Sequence, residues 1–209
     1  MEIQRTANAG VLLTLDGVNI LLDGLCDRVE GYLPTPPAMA ESLRKELPDV
    51  LAFTHNHPDH CSEALLLPYR KQNLRPIFGP EYLPAEAFAV GPVTITPVAS
   101  RHIGKAEPGL SHHSLIIQGS KCVWFMGDAA PLQWKGREDL PKADVLLAPF
   151  AYANTKAAWE LACTLANQIV LLHLPEREKD PCGLWQTVET TTAGAKNLYI
   201  PQIGEKISI

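Results

Sequence analysis

The chain has 209 residues, 46% of them hydrophobic, and a formal net charge of −5. That is enough to bury one core as a single domain over 1–209, and no run of Lys or Arg offers a track for a nucleic-acid backbone. The first residues, Met1-Glu2-Ile3-Gln4-Arg5, lack the basic and apolar segments of a secretory signal, and no apolar run has the length of a bilayer span. Five cysteines, odd in number and without a C-x-x-C pair, fit free thiols in a reducing, cytoplasmic compartment.

In chain order, Gly10 to Leu15 and Val18 to Leu22 flank Asp16-Gly17, a two-residue hairpin signal, and the second strand ends at Asp23-Gly24. Gly31-Tyr32-Leu33-Pro34-Thr35-Pro36-Pro37 is a stiff loop that serves either as a rim over a site or as a plain connector. Ala38 to Leu47 reads as a helix stopped by Pro48. A strand from Asp49 leads into Thr54-His55-Asn56-His57-Pro58-Asp59-His60, and Cys61 to Gln72 reads as a helix broken at Pro68. Arg75 to Pro80 is a short strand with a turn. Pro92 to Val98 is a strand running out to Ser100-Arg101-His102. His113 to Ile117 and Cys122 to Met126 form a hairpin about Gly119-Ser120, ending at Gly127-Asp128. Asp144 to Pro149 is apolar throughout, as in a strand covered on both faces. Asn154 to Ala166 reads as a helix capped by Asn154. Ile169 to Leu172 is a buried strand delivering His173. A helix near Gly183 to Thr190 and strands at 198–201 and 206–209 complete a pattern of two sheets with outer helices.

The chemistry concentrates at 55–60. Alternate residues of extended backbone point the same way, so His55 and His57 can converge on one cation, while Asp59 and His60 turn toward a second point. The plain alternative is a solvated turn with Asp59 as a helix cap. All seven histidines, at 55, 57, 60, 102, 112, 113 and 173, lie at or near such positions. Asp128 reads as either a helix cap or a charge needing a partner, and His173 taken alone as a hydrogen-bonded core histidine.

His-x-His-x-Asp-His after a buried strand, with a later Gly-Asp and a late histidine, resembles the metallo-β-lactamase-fold hydrolases. Within that superfamily the chain looks like the small cytosolic members related to ascorbate-phosphate lactonases and phosphoesterase-like branches. The resemblance implies an α/β fold, an αββα sandwich of two mixed β-sheets flanked by helices, with one or two divalent metal ions at one edge, zinc foremost and manganese or iron as alternatives. It implies His55, His57 and a third histidine at one metal, Asp59, His60 and His173 at the other, Asp128 bridging them, and Asp23 supporting the motif loop from beneath. The third histidine is His102, which ends its own strand, or His113 as the substitute; His112 or His113 would otherwise contact substrate or donate a proton. Metal-bound water has a pKa near 7 rather than near 16. The expected function is therefore hydrolysis of an ester, lactone, thioester or phosphodiester of a small, anionic intracellular metabolite, with Asp59 in the catalytic set. The alternatives are an iron-dependent oxidation enzyme of the same fold, a tRNA-processing type of phosphodiesterase and a non-catalytic binding domain. Nucleic-acid and membrane partners are not expected.

Overall fold

The computed structural model describes every residue except 73, 74, 80–82 and 85, so the Pro80 end of the expected turn lies outside the described residues. One set of strands comprises β1 (Glu2–Arg5), β2 (Val11–Leu15), β3 (Val18–Leu22), β4 (Val50–Ala52), β5 (Ile77–Phe78) and β13 (Lys206–Ser208). The other comprises β6 (Phe88–Val90), β7 (Val93–Ala99), β8 (His113–Gln118), β9 (Cys122–Phe125), β10 (Ala143–Pro149), β11 (Ala166–Leu172) and β12 (Leu198–Tyr199). Among the described residues they make two sheets, ordered β13-β1-β2-β3-β4-β5 and β12-β11-β10-β9-β8-β7-β6. Both sheets are mixed: β3, β4 and β5 are parallel in the first and β9 to β12 in the second, while the remaining pairs are antiparallel.

Period-two burial divides each sheet into an inner and an outer face. Ile3, Val11, Leu13, Ile20 and Leu22 of the first sheet meet Ile95, Leu115, Ile117, Phe125, Leu147 and Val170 of the second in one core. The alternate residues face outward and need helices to cover them. Leu21, Leu51 and Phe53 pack with Leu43 of α1 (Pro37–Lys45) and with Leu66 and Tyr69 of α2 (Glu63–Gln72). Ile116, Trp124, Leu146 and Ile169 pack with Ala162 of α3 (Lys156–Leu165), and Leu171 packs with Val188 of α4 (Leu184–Thr191). The result is helix, sheet, sheet, helix, the expected αββα sandwich.

Three local expectations change. The helix α2 runs through Pro68 unbroken, because the N–H bond lost in the middle of the helix is offset by burying Leu66 and Tyr69 on either side of it. Thr155, not Asn154, caps α3, accepting from the Ala158 amide. The strand β1 was not expected, since Ile3 is the one apolar residue among its four; pairing with β13, through Ile3 and Ile207, brings it into the sheet.

The topology places the chemistry at one edge. Leu22 and Ala52 are in register on parallel strands, so Asp23 and the Thr54–His60 loop leave side by side. Phe125, Leu147 and Val170 are likewise in register, which carries Asp128 and His173 to the same end of the second sheet. Two backbone bonds join the sheets there, His113 N–H to Thr54 O at 3.0 Å and His173 N–H to Asn8 O at 3.1 Å.

Candidate metal centre

Asp23 is fully buried and accepts three hydrogen bonds from the motif loop: from the Thr54 amide at 2.8 Å, the Thr54 hydroxyl at 2.6 Å and His60 Nδ1 at 2.7 Å. Those bonds settle two tautomers. The Thr54 hydroxyl spends its proton on Asp23, so at 3.0 Å it accepts from Nδ1–H of His55, leaving the His55 Nε2 lone pair free. His60 donates through Nδ1, leaving its Nε2 free. His102 donates Nδ1–H to the Ile103 carbonyl at 2.6 Å, with the same consequence. All three Nε2 atoms are buried and have no hydrogen-bond partner.

Two of these atoms, with His173 Nε2, flank Asp128. Its Oδ1 lies 3.5 Å from His60 Nε2, and its Oδ2 lies 3.5 Å from His102 Nε2 and 3.4 Å from His173 Nε2. His173 Nε2 also sits 3.1 Å from Asp59. Two groups of donors have their atoms within 4.8 Å of one another: His55, His57 and His102 on one side, and Asp59, His60 and His173 on the other, with Asp128 between. A third such group, Asp23, His55 and His60, is the fastening already described, because Asp23 is committed to N–H and O–H donors.

Of the two candidates for third histidine, the structure brings His102 against His55 and His57, with ring centroids 4.9 and 4.8 Å apart. His113 stands outside both groups, on β8 opposite Ala99. His112 is buried, with both ring nitrogens engaged, Nδ1 by the Ser100 hydroxyl and Nε2 by the Asp128 amide.

Burial pushes the Asp128 carboxyl up, but the neighbouring His173 and His60 imidazoles outweigh it and hold it well below the ordinary carboxylate range. Burial likewise raises Asp59, and its hydrogen bond to His173 brings it below its usual value. For His55 burial, reinforced by His60, lowers the pKa and keeps the ring neutral. Burial alone would lower His60, yet Asp128 and Asp23 raise it. His112 is pushed down to about 3, chiefly by burial. The edge therefore combines ionised carboxylates with imidazole nitrogens, that of His55 held neutral and that of His60 held toward its charged form by the two carboxylates beside it, a donor set of nitrogen and oxygen suited to a divalent cation.

A family model described as a β-lactamase superfamily domain matches residues 2–172. The chain belongs to the metallo-β-lactamase-fold superfamily. Similar solved structures extend over its whole length. A possible metal-dependent hydrolase from Veillonella parvula matches 100% of this chain and 99% of its own, at 14% identity and a TM-score of 0.69. An isothiocyanate hydrolase from Delia radicum gut bacteria matches 100% and 99%, at 18% identity and a TM-score of 0.63. A diiron β-hydroxylase from Streptomyces venezuelae matches 100% of this chain and 54% of its own, at 12% identity and a TM-score of 0.66. At such identities the likeness is one of fold. Among curated proteins none matches.

Within this superfamily scaffold, two neighbours of the centre were not foreseen from sequence. Tyr32, from the proline-rich loop, meets His173 edge-on with ring centroids 4.6 Å apart, and burial, then the charges of Asp128 and Asp59, push its phenol up to about 12. Glu107 lies 3.2 Å from His57 Nε2, and its exposed position lets it withdraw if that nitrogen ligates. Tyr32 has no sequence signal beyond its loop, and Glu107 none beyond lying between Gly104 and Gly109, which both have positive φ.

Proposed function

We propose that the protein is a metal-dependent hydrolase, holding one or two divalent ions with zinc foremost, and cleaving an ester, lactone, thioester or phosphodiester of a small anionic metabolite. The observation that carries this reading is the set of partnerless buried nitrogens at one edge: His60 Nε2 and His102 Nε2 flank Asp128, and His55, whose Nε2 is also without a partner, is grouped with His57 and His102. A buried polar atom without a partner is costly, and several gathered within ligand range of one another around a carboxylate fit a cation. His55, His57 and His102 would hold one ion and Asp59, His60 and His173 the other, with Asp128 shared. When bound, such ions supply Lewis acidity and bring the pKa of water to about 7.

The chain's own residues orient and enclose the substrate. A cleft of about 630 Å³, lined by Tyr32, Pro175, Arg177, Lys179, Cys182 and Leu184 among others, meets the centre at Tyr32, whose ring stands against His173. Tyr32 forms the wall shared by cleft and centre, and as a protonated phenol it can donate to a substrate oxygen. Arg177 and Lys179 pair with Glu189 and Glu176, and an anionic substrate would compete with those carboxylates and with Glu30, Glu178 and Asp180 of the same lining. Tyr32→Phe is expected to keep its metal content and lower kcat/KM by about ten-fold or more, the worth of one hydrogen bond to a charged group; unchanged kcat/KM on every substrate turned over would remove Tyr32 from this role.

Five free cysteines suit a reducing, cytoplasmic setting, and among the described residues no helix is long and apolar enough to cross a membrane. The test of function is to strip the protein with a chelator, restore Zn²⁺ or Mn²⁺, and screen lactones, thioesters and phosphodiesters. Hydrolysis should vanish and return with metal. Full activity in the metal-free protein would contradict the proposal, and oxygen consumption with iron but no hydrolysis would point to an oxidation enzyme on the same donor set.

A further inference from the structure

We infer that His112 is a positioning residue for Asp128, acting through a one-way hydrogen-bonded chain that also contains Ser100 and Ser114; this rests on the metal-centre reading above. The chain's direction follows from its two ends. The Asp128 amide can only donate, and its acceptor at 2.9 Å is His112 Nε2. A ring that accepts at Nε2 is neutral and carries its proton on Nδ1, which lies 2.8 Å from Ser100 Oγ. At the far end the Met126 carbonyl can only accept, so the Ser114 hydroxyl donates to it at 3.0 Å. The Ser114 oxygen is then free to accept the one remaining proton, that of Ser100, at 3.1 Å. Each polar hydrogen has one acceptor, and no alternative arrangement satisfies both ends.

The effect is a clamp on three residues. The chain begins at the Asp128 amide and ends at the Met126 carbonyl, enclosing Gly127 at φ 53°, where an added Cβ would lie 2.5 Å from Thr54 Oγ1. The Asp128 carbonyl is held separately by the Ile103 amide at 2.7 Å, and Ser100 is tied back to the His112 carbonyl by its own amide at 3.0 Å. With its backbone fixed on both sides, Asp128 presents its two oxygens to imidazoles on opposite sides at 3.4–3.5 Å. A shared carboxylate needs that control, since productive geometry tolerates about 0.5 Å of error. Both ring nitrogens are spent within the chain, so His112 acts on metal through Asp128 and not as a ligand.

The test compares His112→Gln, His112→Asn and His112→Leu, each titrated with Zn²⁺ after chelation. The Gln side chain can place its amide oxygen near the position of Nε2 and accept from Asp128; Asn reaches only as far as Nδ1. Metal affinity should fall about 10–100-fold in the Leu and Asn variants, as for other groups that orient a ligand, and Gln should recover most of it. Long-range ¹H–¹⁵N correlation spectra of the metal-free wild type should show His112 as the Nδ1–H tautomer. An Nε2–H tautomer, or Gln and Asn variants of equal affinity, would overturn the inference even if the Leu variant fails to fold. If the wild type binds no metal, the metal-centre reading fails with the affinity arm, while the tautomer still decides whether the clamp exists.

Discussion

Asp23→Ala is expected to lose about 3–5 kcal/mol of folding stability, the cost of breaking a buried charged network, and about 10–100-fold in metal affinity, without removing a ligand. Asp23 is wholly buried, and its loss orphans the Thr54 amide, the Thr54 hydroxyl and His60 Nδ1 together. Asp23→Asn separates the two effects. Its oxygen can still receive the Thr54 amide, but the Thr54 hydroxyl shares the other oxygen with His60 and loses its acceptor, so stability should fall by less than in the Ala variant. Its NH₂ group, however, faces His60 Nδ1 and favours the tautomer with the proton on Nε2, the atom turned toward Asp128. Denaturant unfolding and a zinc titration of the two variants read stability and affinity separately. Unchanged metal affinity in Asp23→Ala would reduce Asp23 to a residue that only closes a turn.

The second large effect separates two histidines. His102→Ala should lose up to one metal equivalent, because it removes a partnerless nitrogen that faces Asp128 and sits within ligand range of His55 and His57. His113→Ala should keep its metal, since that ring lies outside both donor groups and its backbone amide, not its side chain, joins the sheets. Elemental analysis of the two purified variants decides between them, and full occupancy in His102→Ala would overturn the assignment.

These residues show how far the sequence could be read. The hairpin at Asp16-Gly17, the buried strands and the pairing of His55 with His57 followed from patterns confined to short stretches, whereas the meeting of His55, Asp128 and His173 was implied by the family resemblance. The order of strands and helices likewise suggested two sheets with outer helices. The roles that escaped depend on distant partners. His112 gains its place from Ser100, Ser114 and the Asp128 amide, which meet only when β7, β8 and β9 are side by side. Nothing in Gly31-Tyr32-Leu33 says that its phenol will stand against His173. The continuity of α2 through Pro68 is similar, since tertiary burial of Leu66 and Tyr69 overrides a local breaker.

The most direct measurement is the number of metal ions that the stripped protein takes up. A calorimetric titration with Zn²⁺, checked by elemental analysis after dialysis, should show one to two equivalents bound per chain. Asp128→Ala should bind fewer, since it withdraws the carboxylate shared by both donor groups. No retained zinc in the folded wild-type protein, or the same retention in Asp128→Ala, would contradict a metal centre at this edge.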